Sequence, residues 1–420
     1  MKYCAAFLPL ALFALHTGPA AAQTPEEVAA AALEAVPVWD GHNDVPGELR
    51  DRYRNVIADF DFTDTRVNAP DHPADRAMHT DLARLRQGKV GAQFWSVYVS
   101  ANLAEPVAVQ TTLEQIDVTK RLIARYPDDM ALAVTADQVE AAMAQGKIAS
   151  LIGMEGGHSI GSSLGVLRQM YALGARYLTL THSKNTPWAD SATDAPSHNG
   201  LTGFGKDLVR EMNRMGMLVD LSHVSEKTMQ DALDVGKAPV IFSHSGARGV
   251  NSHARNVPDS VLRRLPGNGG VVMVVAYPAF VKEEVRQHFA DRAGEEARLA
   301  ALWPGAPDKV TDGLADWDAA RPLPGSTVSD MADHIDRIRM IAGIGHVAIG
   351  GDYDGIPIML TGMEDVSGYP ALFTELARRG YSQADLEKIS FRNMMRVMRG
   401  AEAYAASVTD MAPIETPVPE

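Results

Sequence analysis

Six short segments of the chain place residues able to bind a metal ion directly after an apolar run. They are Asp40-Gly-His42-Asn-Asp44, Met154-Glu155-Gly-Gly-His158, Thr181-His182, Ser222-His223, Ser243-His244 and Gly351-Asp352-Tyr-Asp354. Along an extended strand residues two apart share a face, so His42 and Asp44 can grip one ion together. A lone histidine at a strand end is most often structural. Four of them, with Asp44 and Glu155, would bury several costly ionisable groups side by side unless they bind something. Imidazole and carboxylate without thiolate suit Zn²⁺ or, less selectively, Mn²⁺, Co²⁺ or Fe²⁺. One tetrahedral ion needs fewer ligands than this, whereas two ions sharing a bridging carboxylate would use the set economically.

The elements that must carry these residues follow from the apolar runs. Val36–Trp39, Gly91–Val99, Ile148–Met154, Tyr177–Leu180, Leu218–Leu221, Val240–Phe242, Val271–Val275 and Val347–Ile349 read as buried strands. Helical patterns such as Ser162–Leu173, Gly205–Met215, Ser225–Val235 and Ser329–Ile341 lie between several of them. Alternation of this kind predicts an α/β fold, a (β/α)₈ TIM-type barrel, with a doubly wound open sheet as the alternative. Polar residues at the strand ends favour the barrel, because its working residues project from the C-terminal ends of the strands.

Composition narrows the field. With 420 residues, 46% hydrophobic and 22% charged, the chain is neither disordered nor a disulfide scaffold. Its 53 acidic against 39 basic residues, a formal charge of −14, disfavour nucleic acid and anionic lipid as partners. The first segment has Lys2, an apolar stretch over Ala5–Leu15 and then Ala20-Ala21-Ala22, the pattern of a signal peptide cleaved after Ala22. Cleavage removes the only cysteine, Cys4, and implies a periplasmic or secreted protein without disulfides and without a membrane span in the mature chain. Residues 23–404 are expected to form one catalytic domain, opened by a helix at Thr24-Pro25-Glu26-Glu27, and 405–420 a flexible tail. The charged segment Val281–Thr327 is left open between a lid and an oligomer contact.

The sequence resembles the membrane (renal-type) dipeptidase family, peptidase family M19, binuclear zinc enzymes of the amidohydrolase-like barrels. The resemblance rests on WDGHND at 39–44, HTDLARLRQGKVGAQFWSVYV at 79–99, GMEGGHSIG at 153–161 and GARYLTLTHSKNTPWADS at 174–191. It continues through GMLVDLSHVS at 216–225, PVIFSHSGARGV at 239–250, ARNVPD at 254–259 and AIGGDYDG at 348–355. It implies two Zn²⁺ per chain, one held by His42 and Asp44, the other by His223 and His244, with Glu155 bridging both. It further implies that a metal-bridging hydroxide attacks the peptide carbonyl and that His182 steadies the oxyanion. Asp352 would relay the proton or hold the substrate amine, and Arg255 would bind the substrate's terminal carboxylate. Small dipeptides, L,L and L,D, are the implied substrates, with dehydropeptide β-lactams as a side activity. Mammalian relatives carry disulfides and a lipid anchor, and Lys184 stands here where they have a cysteine. Dimers are common in the family, so a homodimer is a partner to consider, although no residue here proves it. Competing readings are an N-acyl-amino-acid deacylase or lactonase on the same metals, and a non-catalytic zinc- or peptide-binding barrel.

Blander roles are expected for the remaining candidates. His158 reads mainly as a loop residue, and Asp40 either orients ligands or closes its strand, while sharing the face of His42 and Asp44. Asp354 is the rival proton carrier to Asp352. His253 is a surface-loop residue, and His334 belongs to a charged, solvated helix. His72, His79, His198, His288 and His346 carry no motif beyond the family background.

Overall fold

The computed structural model describes residues 1–2, 23–66 and 77–417. The expected signal segment and its cleavage point, with Cys4, and the residue His72 lie outside the described residues. Nine strands run in chain order: β1 (Val38–Asn43), β2 (Val90–Ser96), β3 (Met130–Leu132), β4 (Ile148–Glu155), β5 (Ala175–Thr179), β6 (Leu218–Asp220), β7 (Ile241–Ser245), β8 (Val271–Val274) and β9 (Val347–Ile349). All pairings between them are parallel. Eight close into a ring, because β2 pairs with both β1 and β4 and β9 returns to β1. The architecture is the expected (β/α)₈ barrel, and each of the eight apolar runs overlaps one strand of the ring. The ninth strand, β3, was not foreseen. It lies beside Ile148–Ser150 of β4, where β5 has not yet begun to pair.

Two apolar layers hold the ring. Inside, Trp39, Phe94, Leu151, Tyr177, Ile241 and Met273 are fully buried, with Trp39 stacked on Phe94 and Phe94 against Tyr177. Outside, alternate strand residues such as Val38, Ile152, Leu178 and Val272 pack against the helices. Burying a large side chain of this kind contributes about 1.5–3 kcal/mol, so the barrel is a filled core rather than a pore. The helix Asn393–Ser407 closes the lower end, sending Met394, Val397 and Met398 into the interior layer. The polar residues are left at the other end.

The helix starts follow their caps. Thr24 and Glu27 form a reciprocal capping box on Pro25–Ala35. Ser163, Ser225 and Thr327 cap Leu164–Ala172, Glu226–Val235 and Val328–Ala342. The open segment Val281–Thr327 contains two helices, Glu283–Leu302 and Pro307–Ala320, packed on each other. The tail expected from Ala405 begins inside the last helix, and Ile414 is tied down. Its N–H donates to Glu211 Oε2 at 3.1 Å, and Arg168 Nη1 donates to its carbonyl at 3.2 Å.

His334 is not solvated. It is fully buried, accepts the Ala247 N–H at Nδ1 (2.7 Å) and donates from Nε2 to the Val281 carbonyl (3.0 Å). The charged pattern around it describes the outer face of its helix, whereas His334 lies on the inner one. Asp40 takes the strand-closing role, one of the two expected of it, and the register of β1 shifts between Asp40 and Asn43. Such an irregularity re-aims side chains. The Asp40 carboxylate therefore accepts from Tyr369 Oη (2.7 Å), Gly351 N (2.8 Å) and His42 N (3.2 Å), fastening β1 to the loop after β9 instead of facing the ligands.

Candidate metal centre

Every strand-end residue singled out for metal chemistry meets at one end of the barrel. His42 and His244 lie within β1 and β7, Glu155 ends β4, and Asp44 follows β1 directly. His182, His223 and Asp352 each stand three residues past the ends of β5, β6 and β9. Ligand-type atoms gather in three groups, each within 4.8 Å: His42–Glu155–His244, Glu155–His182–His223 and His42–Asp44–Asp352. Two of the loop residues, His223 and Asp352, sit in the left-handed backbone region, at φ 67° and 63°, as does Asp354 at 66°. That conformation costs a non-glycine residue on the order of 1 kcal/mol. The concentration of such residues here marks a site whose side-chain directions outweigh local backbone preference.

Glu155 divides the cluster. Its Oε2 lies 3.4 Å from His42 Nε2, which is itself 3.2 Å from Asp44 Oδ2. Its Oε1 lies 3.0 Å from His223 Nε2, 3.4 Å from His244 Nε2 and 3.9 Å from His182 Nε2. Each carboxylate oxygen thus serves a different set of imidazoles.

The imidazoles are oriented from behind. His42 Nδ1 is 2.8 Å from the Tyr177 hydroxyl, which directs Nε2 at Asp44 and Glu155. Tyr177 can lie there because β4 has Gly153 beneath it: a Cβ at that position would fall 2.0 Å from the ring. His244 Nδ1 is 2.8 Å from Ser243 Oγ, which donates to Asp220 Oδ2 at 2.6 Å. With Nδ1–H donating in this relay, Nε2 of His244 presents its lone pair to the cluster. Asp220 also accepts from Thr179 Oγ1 and from the Ser222 and Ser243 amides. Gly355 leaves room for two carboxylates, since a Cβ there would lie 2.3 Å from Asp44 Oδ2 and 2.7 Å from Asp352 Oδ1.

The arrangement fits a cation. Nε2 of His223 and of His244 lie 2.9 Å apart, while burial first, and then nearby positive groups, hold both imidazoles well below their ordinary pKa. Two neutral rings thus aim nitrogen at one carboxylate oxygen. The buried Nε2 of His42 and Nδ1 of His223 have no hydrogen-bond partner among the described residues. Against the effect of burial, Tyr177, Glu155 and Asp44 raise the His42 pKa well above its usual value, which shows how strongly positive charge is favoured there. Glu155 is held well below the usual range, its burial outweighed by His42, His223 and His244. Burial and the neighbouring Asp44 and Glu155 push Asp352 up.

A cavity of about 450 Å³ opens over the cluster and reaches Tyr98, His182, Arg255, Tyr277, Phe280 and Asp352. Arg255 is 2% exposed, its guanidinium over the Phe280 ring at 5.3 Å. Its guanidinium donates to Ser245 Oγ at 3.5 Å and to the His244 carbonyl at 3.3 Å, while among the described residues its Nε has no partner and no carboxylate pairs with it. Burial lowers its pKa to about 10, so it stays charged at neutral pH. His182 faces the cavity between the rings of Tyr98 (4.7 Å) and His223 (4.2 Å).

The remaining candidates have other places. His158 donates from Nε2 to the Val99 carbonyl (3.0 Å) and holds the loop after β2. Asp354 lines the cavity, while its carboxylate accepts the His79 N–H at 2.7 Å. His253 is half-buried and stacks on Phe280 at 4.5 Å. Tyr177, Asp220, Tyr98, Tyr277 and Phe280 were missed. Only Asp220 left a trace in the sequence, as a charged residue inside an otherwise apolar strand.

The family model described as "Membrane dipeptidase (Peptidase family M19)" matches residues 26–411. The chain is similar to Dipeptidase 3 of Macaca fascicularis, 39% identical over 396 residues that cover 93% of this chain and 70% of that protein. It is 40% identical over 391 residues to Dipeptidase tcpJ of Claviceps purpurea, covering 91% and 81%. Its fold is similar to that of the probable dipeptidase PvdM of Pseudomonas aeruginosa, with TM-score 0.77 and 22% identity over 91% of this chain and 99% of that one. It also resembles a Rhodobacter sphaeroides metallopeptidase solved with a phosphinate mimic of L-Ala-D-Ala, with TM-score 0.69 and 23% identity over 87% and 99%.

Proposed function

The chain belongs to the membrane dipeptidase family, peptidase family M19, and on that footing we propose that it is an exported, binuclear zinc dipeptidase hydrolysing small L,L and L,D dipeptides. The observation that carries this reading is the division of labour at Glu155, whose two oxygens face two separate ligand groups. His42 and Asp44 would hold one Zn²⁺, His223 and His244 the other, and Glu155 both. When bound, the ions supply an acidified water at neutral pH and polarise the scissile carbonyl.

The protein's own groups do the rest. Arg255 offers a buried, charged fork to a free carboxylate, which fixes the length of substrate to one residue past the scissile bond. His182 stands at the cavity wall where an N–H can donate to the oxygen that becomes negative as the carbonyl turns tetrahedral. Asp352 takes a proton from the attacking water and gives it to the amine nitrogen as the C–N bond breaks. Export is supported by the N-terminal pattern ending at Ala22, and no helix among the described residues is long and apolar enough to cross a membrane. Residues 23–404 are proposed as one catalytic domain.

The test is hydrolysis by the zinc-loaded chain starting at Gln23, against L,L and L,D dipeptides, N-acyl amino acids and lactones. Dipeptide turnover that disappears in Asp352→Asn supports the reading. Turnover confined to acylated amino acids or lactones would assign the site to a different hydrolysis, and zinc binding without turnover on any of them would make the barrel a binding protein.

A further inference from the structure

A second cavity, of about 520 Å³, adjoins the first and shares His223, Arg255, Tyr277 and Phe280 with it. Its far wall comes from the helix Glu283–Leu302, through Arg286, Phe289 and Ala290. Arg255 is thus one of the four side chains that stand between the two cavities. A substrate whose terminal carboxylate rests on Arg255 has its C-terminal Cα at that boundary. The scissile bond then lies on the Glu155 side, and the side chain of that last residue has the second cavity beside it.

Apart from Arg255, the charges of this second cavity are already matched. Arg286 is bound through Nε to both oxygens of Glu283, at 3.0 Å each, and Glu283 is held down to about 2 by that contact. Burial and the neighbouring Arg255 lower His253 to about 4, so its ring is neutral at neutral pH and stacks on Phe280. Once a carboxylate occupies Arg255, the apolar surface facing the space comes from Phe280, Phe289, Tyr277, Ala279 and Ala290, with the hydroxyls of Ser183 and Thr193 at its edge. A neutral space of this size, walled by two phenylalanines, rewards burial of a large apolar side chain and gives a charged one no free partner.

We infer that this second cavity is the specificity pocket for the C-terminal residue of the dipeptide, and that it selects large apolar side chains, aromatic ones foremost. The inference rests on the dipeptidase reading above and adds to it a substrate class. Phe289 and Ala290, on a helix remote from the ligand-bearing strand ends, are its specificity-determining residues.

The experiment compares kcat/KM of the zinc-loaded enzyme for Ala-Gly, Ala-Leu, Ala-Phe, Ala-Asp and Ala-Lys, and for Gly-Ala, Leu-Ala and Phe-Ala. The expected result is a preference of about tenfold or more for Ala-Phe over Ala-Gly, without a matching preference at the first residue. Phe289→Asp and Ala290→Glu should each narrow the Ala-Phe to Ala-Gly ratio at least fivefold. Ala290 is exposed, so the second variant does not depend on a core substitution. Equal rates along the C-terminal series, a preference for Ala-Asp, or ratios unmoved in both variants overturn the pocket while leaving dipeptidase activity standing. Absence of turnover on every dipeptide overturns the dipeptidase reading and the pocket with it.

Discussion

On one side of the substrate cavity the side chains stand at strand ends and are held from behind by residues distant in sequence. On the other, the wall is raised by the helix Glu283–Leu302, whose three arginines pair within their own turns or with the helix beside it. His244 is backed by Ser243 and Asp220, and His42 by Tyr177, with all five fully or almost fully buried. The helical wall is fastened by Arg286–Glu283, Arg298–Glu295 and Arg292–Asp318, all open to solvent to some degree. Buried, oriented networks of the first kind lose much when one member is changed, whereas exposed pairs of the second kind contribute little. On the proposed reading the chemistry sits on the unforgiving side and the substrate preference on the tolerant one.

The sharpest break of this contrast is Glu155→Gln, which removes the negative charge that both ligand groups share. Turnover should fall at least about 10³-fold, with less than one equivalent of metal retained, read by steady-state kinetics and elemental analysis. His334 is the joint between the two sides, spanning Ala247 after β7 and Val281 before the wall. Burial lowers its pKa to about 4, against the pull of the Val281 carbonyl, Asp333 and Asp330. An unfolded histidine titrates near 6.5, so the unfolded chain binds the proton first as pH falls. The stabilisation is complete above about pH 6.5 and is lost as pH drops towards 4, on the order of 3 kcal/mol across that window. Denaturant unfolding of wild type and His334→Gln at pH 7 and pH 4.5 checks this, since only the wild type carries that component.

Asp220→Asn probes the backing of His244 alone. Metal affinity should weaken about 10–100-fold, measured by chelator competition, with the fold intact by circular dichroism. At the lower end, Arg292→Ala cuts an exposed pair on the helical hairpin and should change stability by less than about 1 kcal/mol. A larger loss there would mean that the hairpin is as tightly determined as the strand ends, and the contrast would fail.

The same contrast explains what the sequence disclosed. Strands of a barrel bury both faces, so their apolar runs were legible, and the candidate ligands announced themselves by following those runs. Asp40 closes its strand, one of the two roles expected of it, but a register shift in β1 breaks the two-residue alternation that put it on the face of His42 and Asp44. His334 was misread because the charges around it lie on the solvent face of its helix. Tyr177 looked like any core aromatic, and nothing local marks the 2.8 Å contact it makes with a histidine 135 residues earlier. Phe289 sits in a charged helix whose relation to the cavity depends wholly on how the hairpin packs.

The central claim, that two ions bridged by Glu155 serve one hydrolytic site, is tested most directly by returning zinc stepwise to chelator-stripped protein while following dipeptide hydrolysis. Activity should stay low through the first equivalent, rise with the second and saturate at two per chain. Full activity at one equivalent, or none at two with zinc retained, would contradict it.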